Sequence, residues 1–73
     1  MYKEIIQQKL KNAREDIGLT QREIADRIEE PQSKIAKIES GTQSPDVEII
    51  GKLAELYEVS LDWLFGVGPK KRQ

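Results

Sequence analysis

The chain has no cysteine and no histidine, and its 73 residues include only one Phe, one Trp and two Tyr. Without cysteine, neither a disulfide framework nor a cysteine-based zinc site can stabilise the fold. A chain of this length is expected to form one compact domain. Its core must therefore be built mainly from Ile, Leu, Val and Ala, which suit the packing of short helices against one another.

The missing residue types also argue against catalysis. The sequence has no glycine-rich phosphate loop, no nucleophilic triad and no spacing typical of metal ligands. Two pairs of adjacent carboxylates occur, Glu15-Asp16 and Glu29-Glu30, but adjacent residues of a helix diverge and do not converge on a substrate. We expect no enzymatic activity, no cofactor, no bound metal and no small-molecule substrate.

Long apolar runs are absent as well. The first ten residues mix Lys3, Glu4 and Lys9 with apolar side chains, unlike a secretory signal, and no run approaches the length of a membrane span. We therefore expect a soluble protein in the cytoplasm.

Positive charge is not in excess, since 12 Lys and Arg stand against 13 Asp and Glu. A protein that coats DNA without regard to sequence needs clustered basic residues. The charge is also uneven, because residues 46–69 contain five acids and a single base, Lys52. This acidic half is expected to face away from any nucleic acid.

Helical spacing of apolar residues begins near the N-terminus. Four of them are separated by four, three and four positions: Ile6, Leu10, Ala13 and Ile17. This spacing predicts an amphipathic helix that ends at Gly18. Thr20 and Glu23 have the spacing of a capping box and predict a second helix from Thr20 to Glu29. Its apolar face consists of Ile24, Ala25 and Ile28.

Three further helices are predicted. Pro31 suits the first turn of a third helix that ends at Ser40, before Gly41, with Ile35 and Ile38 pointing inward. A fourth helix after Pro45 has apolar residues at helical spacing: Val47, Ile50, Leu53, Ala54 and Tyr57. Ser60 is predicted to cap a brief fifth helix that contains Leu61, Leu64 and Phe65. Residues 1–66 then form the domain, and residues 67–73 form a basic tail that has no packing pattern and is expected to be disordered.

The pair of short helices over residues 20–40, joined by few residues, is the feature that points to function. Over roughly residues 10–66 the chain resembles the Cro and repressor-type helix-turn-helix family. The matching residues are Gly18-Leu19-Thr20-Gln21, Glu23-Ile24-Ala25, Gln32-Ser33, Ile35, Ile38-Glu39-Ser40-Gly41, Pro45 and Val59-Ser60-Leu61-Asp62-Trp63-Leu64-Phe65. The resemblance implies an all-α, compact five-helix bundle of the phage-repressor type, with the helix-turn-helix in helices two and three. It also implies a transcriptional regulator, a repressor above all, that binds double-stranded DNA.

An α-helix fits the major groove, where each base pair displays a distinct set of hydrogen-bond donors and acceptors. The third helix is therefore the candidate to contact bases, through Gln32, Ser33, Lys34 and Lys37. The amide of Gln32 can donate to adenine N7 while it accepts from N6. Taken singly, such residues are also ordinary solvated helix residues.

Phosphate contacts are predicted at two places. Thr20 and Gln21 lie at the start of the second helix, where free backbone N–H groups and the helix dipole favour an anion. Thr42, Gln43 and Ser44 in the loop after the third helix are expected to contact the DNA backbone, although loop hydroxyls also serve as turn formers.

The resemblance places Arg14 of the first helix against Glu39 of the third, and implies a partly buried ion pair that fixes one helix against the other. The sequence departs from the family in the turn between helices two and three. Glu29 stands where the family usually has glycine, and Glu30 where it has an apolar residue. This departure leaves open a changed turn that shifts Gln32 along the groove, and a role for Glu30 in accepting a hydrogen bond from cytosine N4.

One such domain buries little surface on DNA, so we expect a homodimer on a two-fold symmetric operator. The candidate interface is Leu61, Trp63, Phe65 and Val67, since the fifth helix has more large apolar groups than one short helix can readily bury. The alternative is that Leu61, Leu64 and Phe65 close the core while Trp63 lies half exposed. We favour the core for Leu64 and the interface for Trp63.

Two other roles remain open. The same fold serves in antitoxins and adaptors that bind a protein partner, such as a toxin, and the acidic half of this chain is compatible with a basic partner. The other open role is that of a controller protein of a restriction system. The basic tail, Lys70-Lys71-Arg72, is either a DNA-contacting arm, a point of attachment or a solubilising end.

Overall fold

The computed structural model describes residues 2–70. Over this range the chain forms five α-helices and no β-strand, which confirms the all-α fold class. The helices are α1 (Tyr2–Asp16), α2 (Gln21–Ile28), α3 (Gln32–Ser40), α4 (Val47–Tyr57) and α5 (Leu61–Leu64). Seven large side chains are fully buried, and every helix contributes at least one: Leu10, Ile24, Ile35, Ile38, Ile49, Leu53 and Leu64. The core is therefore a single cluster at the junction of all five helices.

The apolar stripe of α1 is confirmed except at its last member. Ile6, Leu10 and Ala13 are buried, whereas Ile17 is 43% exposed. The helix ends at Asp16, and Gly18 adopts φ +73°. The prediction for Ile17 was wrong because the chain leaves the helix before Ile17 can turn inward.

The capping box at the start of α2 is present. Thr20 Oγ1 accepts from the Glu23 backbone N–H at 3.1 Å, and Glu23 Oε1 accepts from the Thr20 backbone N–H at 2.9 Å. The second bond lowers the pKa of Glu23, because it favours the charged carboxylate. Both donors would otherwise lack a partner within the helix.

The turn between α2 and α3 keeps a left-handed residue without glycine. Glu29 adopts φ 58° and ψ 46°, and the Glu30 backbone N–H donates to Ala25 O at 2.9 Å. For a residue with a Cβ this conformation costs about 1–2 kcal/mol. The helix α3 begins at Gln32, so Pro31 is its N-cap residue and not its first helical residue, as was predicted.

The inner face of α4 differs from the predicted one. Asp46 caps the helix by accepting from the Ile49 N–H at 2.8 Å. Ile49, Leu53, Ala54 and Tyr57 are buried, but Ile50 is half-buried and Val47 is 86% exposed. The prediction for Val47 was wrong because Val47 lies two positions, or about 200°, around the helix from Ile49.

The short α5 is capped by Ser60, whose Oγ accepts from the Trp63 N–H at 2.9 Å. Leu64 closes the core, as predicted, whereas Leu61 is 51% exposed. Of the predicted tail, residues 67–70 have contacts: the Ser60 N–H donates to Lys70 O at 2.8 Å, and the Lys70 ammonium pairs with Asp16. Residues 71–73, which include Lys71 and Arg72, lie outside the described residues, and the division at residue 66 stays a prediction.

Candidate nucleic-acid interface

One face of α3 is polar and open to solvent. Gln32, Ser33 and Lys37 are exposed, and on the opposite face Ile35 and Ile38 are each 1% exposed. The two buried isoleucines fix the rotation of α3 about its axis. The helix therefore presents an amide, a hydroxyl and an ammonium group on its outer face.

A bidentate ion pair holds α3 against α1. Arg14 Nε lies 2.7 Å from Glu39 Oε2, and Arg14 Nη2 lies 2.9 Å from Glu39 Oε1. Arg14 Nη1 also donates to Leu19 O at 2.9 Å. The side chains are only 13% and 5% exposed. The hydrogen bond with Glu39 raises the pKa of Arg14, because it favours the charged guanidinium.

Gln21, a predicted phosphate contact, lies within this cluster. Its Nε2 donates to Glu39 Oε1 at 3.0 Å, and the residue is half-buried. Gln21 therefore connects the start of α2 to the end of α3. Thr20, its neighbour, is exposed, but its hydroxyl already accepts the capping hydrogen bond.

Gln7 is a residue whose contribution was not predicted. Its Nε2 donates to the backbone oxygen of Glu39 at 2.9 Å, across 32 positions of the chain. A Cβ at Gly41 would lie 2.6 Å from Gln7 Oε1, and Gly41 has φ +83°. The glycine thus both ends α3 and leaves room for Gln7. No local pattern could have indicated this contact, since nothing in the spacing of α1 marks Gln7.

Tyr57 of α4 packs near the same cluster. It is 5% exposed. Burial raises the pKa of its phenol, and the negative charge of Glu39 raises it further. Glu39 of α3 therefore lies among groups from three other helices: Gln7 and Arg14 of α1, Gln21 of α2 and Tyr57 of α4.

The loop after α3 is tied to the last turn of that helix. The backbone N–H groups of Thr42 and Gln43 donate to Lys37 O at 2.9 and 3.2 Å. Thr42 Oγ1 lies 2.9 Å from Ser40 Oγ. Thr42 and Ser44 are exposed and Gln43 is half-buried. Two of the three loop candidates thus have side chains open to a ligand.

Lys34 and Glu30 have a different setting from the other candidates. Lys34 Nζ lies 3.4 Å from Glu30 Oε1 and 3.8 Å from Asp46 Oδ2, and the side chain is 27% exposed. The Glu30 side chain is 19% exposed and also approaches Lys52 Nζ, at 3.6 Å. Lys34 and Glu30 thus form an ion pair with each other, whereas the side chains of Gln32 and Ser33 are exposed to solvent.

The four predicted interface residues divide into two kinds. Leu61 and Val67 are 51% and 69% exposed. Trp63 and Phe65 are half-buried against the core. The Trp63 ring lies 4.6 Å from Lys9 Nζ and 5.0 Å from Lys70 Nζ, and Phe65 packs edge-on against Tyr2. Of these four residues, Leu61 and Val67 are thus the ones whose apolar side chains are open to solvent within one chain.

Charge separates along the chain. The five acids and one base of residues 46–69 leave the other 11 basic and 8 acidic residues outside that segment.

Within residues 2–70, no group of three or more acidic side chains could hold a metal ion. No helix in the same range has both the length and the apolar character needed to span a bilayer.

Comparison with known proteins identifies a family and two similar proteins. Residues 10–64 match the family model described as helix-turn-helix. The chain is 36% identical over 58 residues to the HTH-type transcriptional regulator ImmR of Bacillus subtilis (strain 168), covering 80% of this chain and 46% of that protein. It is 38% identical over 61 residues to the cryptic phage CTXphi transcriptional repressor RstR of Vibrio cholerae serotype O1 (strain ATCC 39315 / El Tor Inaba N16961), covering 84% and 54%.

This chain therefore spans about half the length of the curated relatives it matches. No solved structure matches it at a significant level. The matched residues begin in α1 and end with α5, so they include most of the contacts that fix α3, among them the pair of Arg14 with Glu39.

Proposed function

This chain belongs to the helix-turn-helix family, as its sequence predicted, and from that premise we propose that it is a sequence-specific DNA-binding transcriptional repressor. The proposal has α3 enter the major groove of double-stranded DNA. A dimer would bind a two-fold symmetric operator. No catalytic step is part of this function.

The observation that supports the proposal best is the open outer face of α3. Gln32, Ser33 and Lys37 lie side by side on a helix whose inner face is buried and whose last turn is held through Glu39. An ordered helix with a free amide near its N-terminal end can present donors and acceptors to base edges. In this proposal Thr42 and Ser44, on a loop hydrogen-bonded to the last turn of the same helix, contact phosphates.

Selection from a random duplex library at physiological salt tests the function. We expect the wild-type chain to enrich a two-fold symmetric site, and the double variant Gln32→Ala, Lys37→Ala to lose that enrichment. The matched control is Lys3→Ala, Gln8→Ala, which removes one exposed Lys and one exposed Gln of α1 outside the helix-turn-helix. Absence of enrichment at every salt concentration would contradict operator binding.

The proposed dimer depends on the exposed apolar groups near the C-terminal end of the domain. Leu61→Ser with Val67→Ser should lower the dimer fraction in sedimentation equilibrium, because it removes the open apolar surface. Val47→Ser is the control, since Val47 is more exposed than either but lies at the start of α4. Trp63→Ala is a separate variant, and an unchanged dimer would remove Trp63 from the interface.

A groove between α4 and α5 favours a second candidate, in which the chain binds a protein partner. This groove, of about 370 Å³, is lined by Gly51, Ala54, Glu55, Val59, Ser60, Leu61 and Asp62. Its acids and the exposed Leu61 fit a basic partner with one apolar side chain. A short gene beside that of this chain would support an antitoxin, and binding of its product should weaken when Glu55 and Asp62 are replaced by Gln and Asn.

A further inference from the structure

A row of charged groups runs from the turn before α3 to the start of α4, and it includes Lys34, which the sequence predicted to contact bases. Five side chains alternate in sign along it: Glu48, Lys52, Glu30, Lys34 and Asp46. The separations between successive charged groups are 3.7, 3.6, 3.4 and 3.8 Å. Lys52 Nζ also lies 3.4 Å from Ile28 O, the last residue of α2. The row connects the turn to the beginning of α4.

Lys34 and Lys37, both on α3, differ in what surrounds them. Lys34 lies between the carboxylates of Glu30 and Asp46, and only 27% of its side chain is exposed. Lys37 is exposed and forms no ion pair with any side chain of residues 2–70. A lysine free to reach a phosphate adds sequence-independent affinity. A lysine between two carboxylates must first give up those ion pairs before it can contact a phosphate.

We propose that Glu30 determines specificity by holding Lys34 away from DNA phosphates. Glu30 is a positioning residue here, since it acts through Lys34 and itself contacts no DNA. With Lys34 withheld, α3 loses one phosphate contact that would be made on any sequence. Binding then depends more on the base edges contacted by Gln32. This inference rests on the proposed function, because it assumes that α3 approaches DNA.

The salt dependence of binding measures the number of phosphate contacts. Each contact changes the slope of log K against log salt by about 0.9, which corresponds to about 8-fold in affinity between about 1 M and about 0.1 M salt. The probe is a random-sequence duplex of about 20 base pairs, and its binding is measured by fluorescence anisotropy over that range of salt. Thermal unfolding of each variant identifies those that remain folded.

Single lysine variants give the first comparison. Lys37→Met should reduce the steepness of the salt slope by about 1, because on a random duplex the exposed Lys37 ammonium would contact phosphate rather than one particular base. Lys34→Met should leave the slope unchanged, since Lys34 is already held by carboxylates. Equal losses for the two variants would overturn the inference while leaving DNA binding itself intact. This comparison decides the matter even if Glu30 variants fail to fold.

Glu30 variants give the second comparison. Glu30→Gln should steepen the slope by about 1 and raise affinity for the random duplex about 8-fold at about 0.1 M salt. Glu29→Gln is the matched control, since it removes the same charge from an exposed neighbour that pairs with neither lysine. Its slope should stay at the wild-type value.

The double variant Glu30→Gln, Lys34→Met separates positioning from simple loss of a negative charge. If Glu30 acts through Lys34, the double variant returns to the wild-type slope and affinity. If the gain persists without Lys34, or if Glu29→Gln produces the same gain, the inference is overturned. No binding by the wild type or any variant would overturn the proposed function and this inference with it.

Discussion

Glu29 at the end of α2 and Glu58 at the end of α4 occupy turns with nearly the same backbone. Their φ and ψ angles are 58° and 46° for Glu29, and 56° and 43° for Glu58. In each turn the next residue donates its N–H to an alanine carbonyl five positions earlier, at 2.9 Å for Glu30 and 3.0 Å for Val59. The same turn thus precedes both α3 and α5.

The residue after each left-handed glutamate differs between the two turns. Val59 is 2% exposed and packs in the core. Glu30, the equivalent residue before α3, lies between Lys34 and Lys52 instead. A residue at this place commonly makes an apolar contact with the preceding helix. The same backbone turn can therefore be followed by an apolar residue that packs in the core or by a charged residue that forms ion pairs.

The largest effect is expected when the residue types at positions 30 and 59 are exchanged. Val59→Glu should lower the free energy of unfolding by about 4 kcal/mol, because it buries a charge with no partner. Glu30→Val should change it by no more than about 1 kcal/mol, since its partners Lys34 and Lys52 are partly exposed and can still be solvated by water. Urea denaturation measures both. Similar losses for the two variants would show that the turns do not differ in this way.

Next in size is the ion pair that holds the α3 side of the comparison. Arg14→Met should cost about 3 kcal/mol, because Glu39 stays buried without its main partner. The variant with both Arg14→Met and Glu39→Met should recover much of this loss in the same denaturation assay. A loss below about 1 kcal/mol for Arg14→Met would mean that the pair behaves like an exposed one.

A smaller effect is expected from Tyr57, the last residue of α4, whose buried phenol is influenced by the charge of Glu39 on α3. Its raised pKa means that the folded state keeps the proton after the unfolded state loses it above a pH of about 10. The free energy of unfolding should then fall by about 1.4 kcal/mol per pH unit from this group. Lysine side chains in general titrate in the same pH range. The measurement is therefore the difference between the pH profiles of the wild type and Tyr57→Phe. Parallel pH profiles would contradict the shift.

The smallest effect tests the turns themselves. Glu29→Gly and Glu58→Gly should each raise the free energy of unfolding by about 1 kcal/mol, because glycine adopts positive φ without a Cβ clash. Thermal unfolding compares the two variants. Since the backbone angles are nearly equal, the gains should agree within about 0.5 kcal/mol. A larger gain at one site would show that the other glutamate makes a useful contact.

Much of the fold was predictable from short-range patterns, and the errors have a common cause. The capping box of Thr20 and Glu23, the cap at Ser60 and the end of α3 at Gly41 were all predicted. Ile17 and Val47 were assigned to the core, yet both are exposed. Both lie at helix ends, where spacing alone does not settle the direction of a side chain. Ile17 follows the last residue of α1, and Val47 lies about 200° around α4 from the buried Ile49.

The candidate site was less predictable. The open face of α3 follows from periodicity, because Ile35 and Ile38 mark the opposite face. The pairing of Arg14 with Glu39 came from the family resemblance and not from spacing. Nothing local indicated that Gln21 would also bind Glu39, or that Lys34 would lie between two carboxylates.

The sequence by itself determined where helices begin and end, because caps, glycines and prolines act through backbone groups within about four residues. It also determined the rotation of α2 and α3, through apolar residues at helical spacing. Only the tertiary structure decided the full set of partners around Glu39 and Glu30. Most of these partners lie on other helices, up to 32 positions away for Glu39. Such contacts depend on how helices pack, and packing is a property of the whole core rather than of any segment.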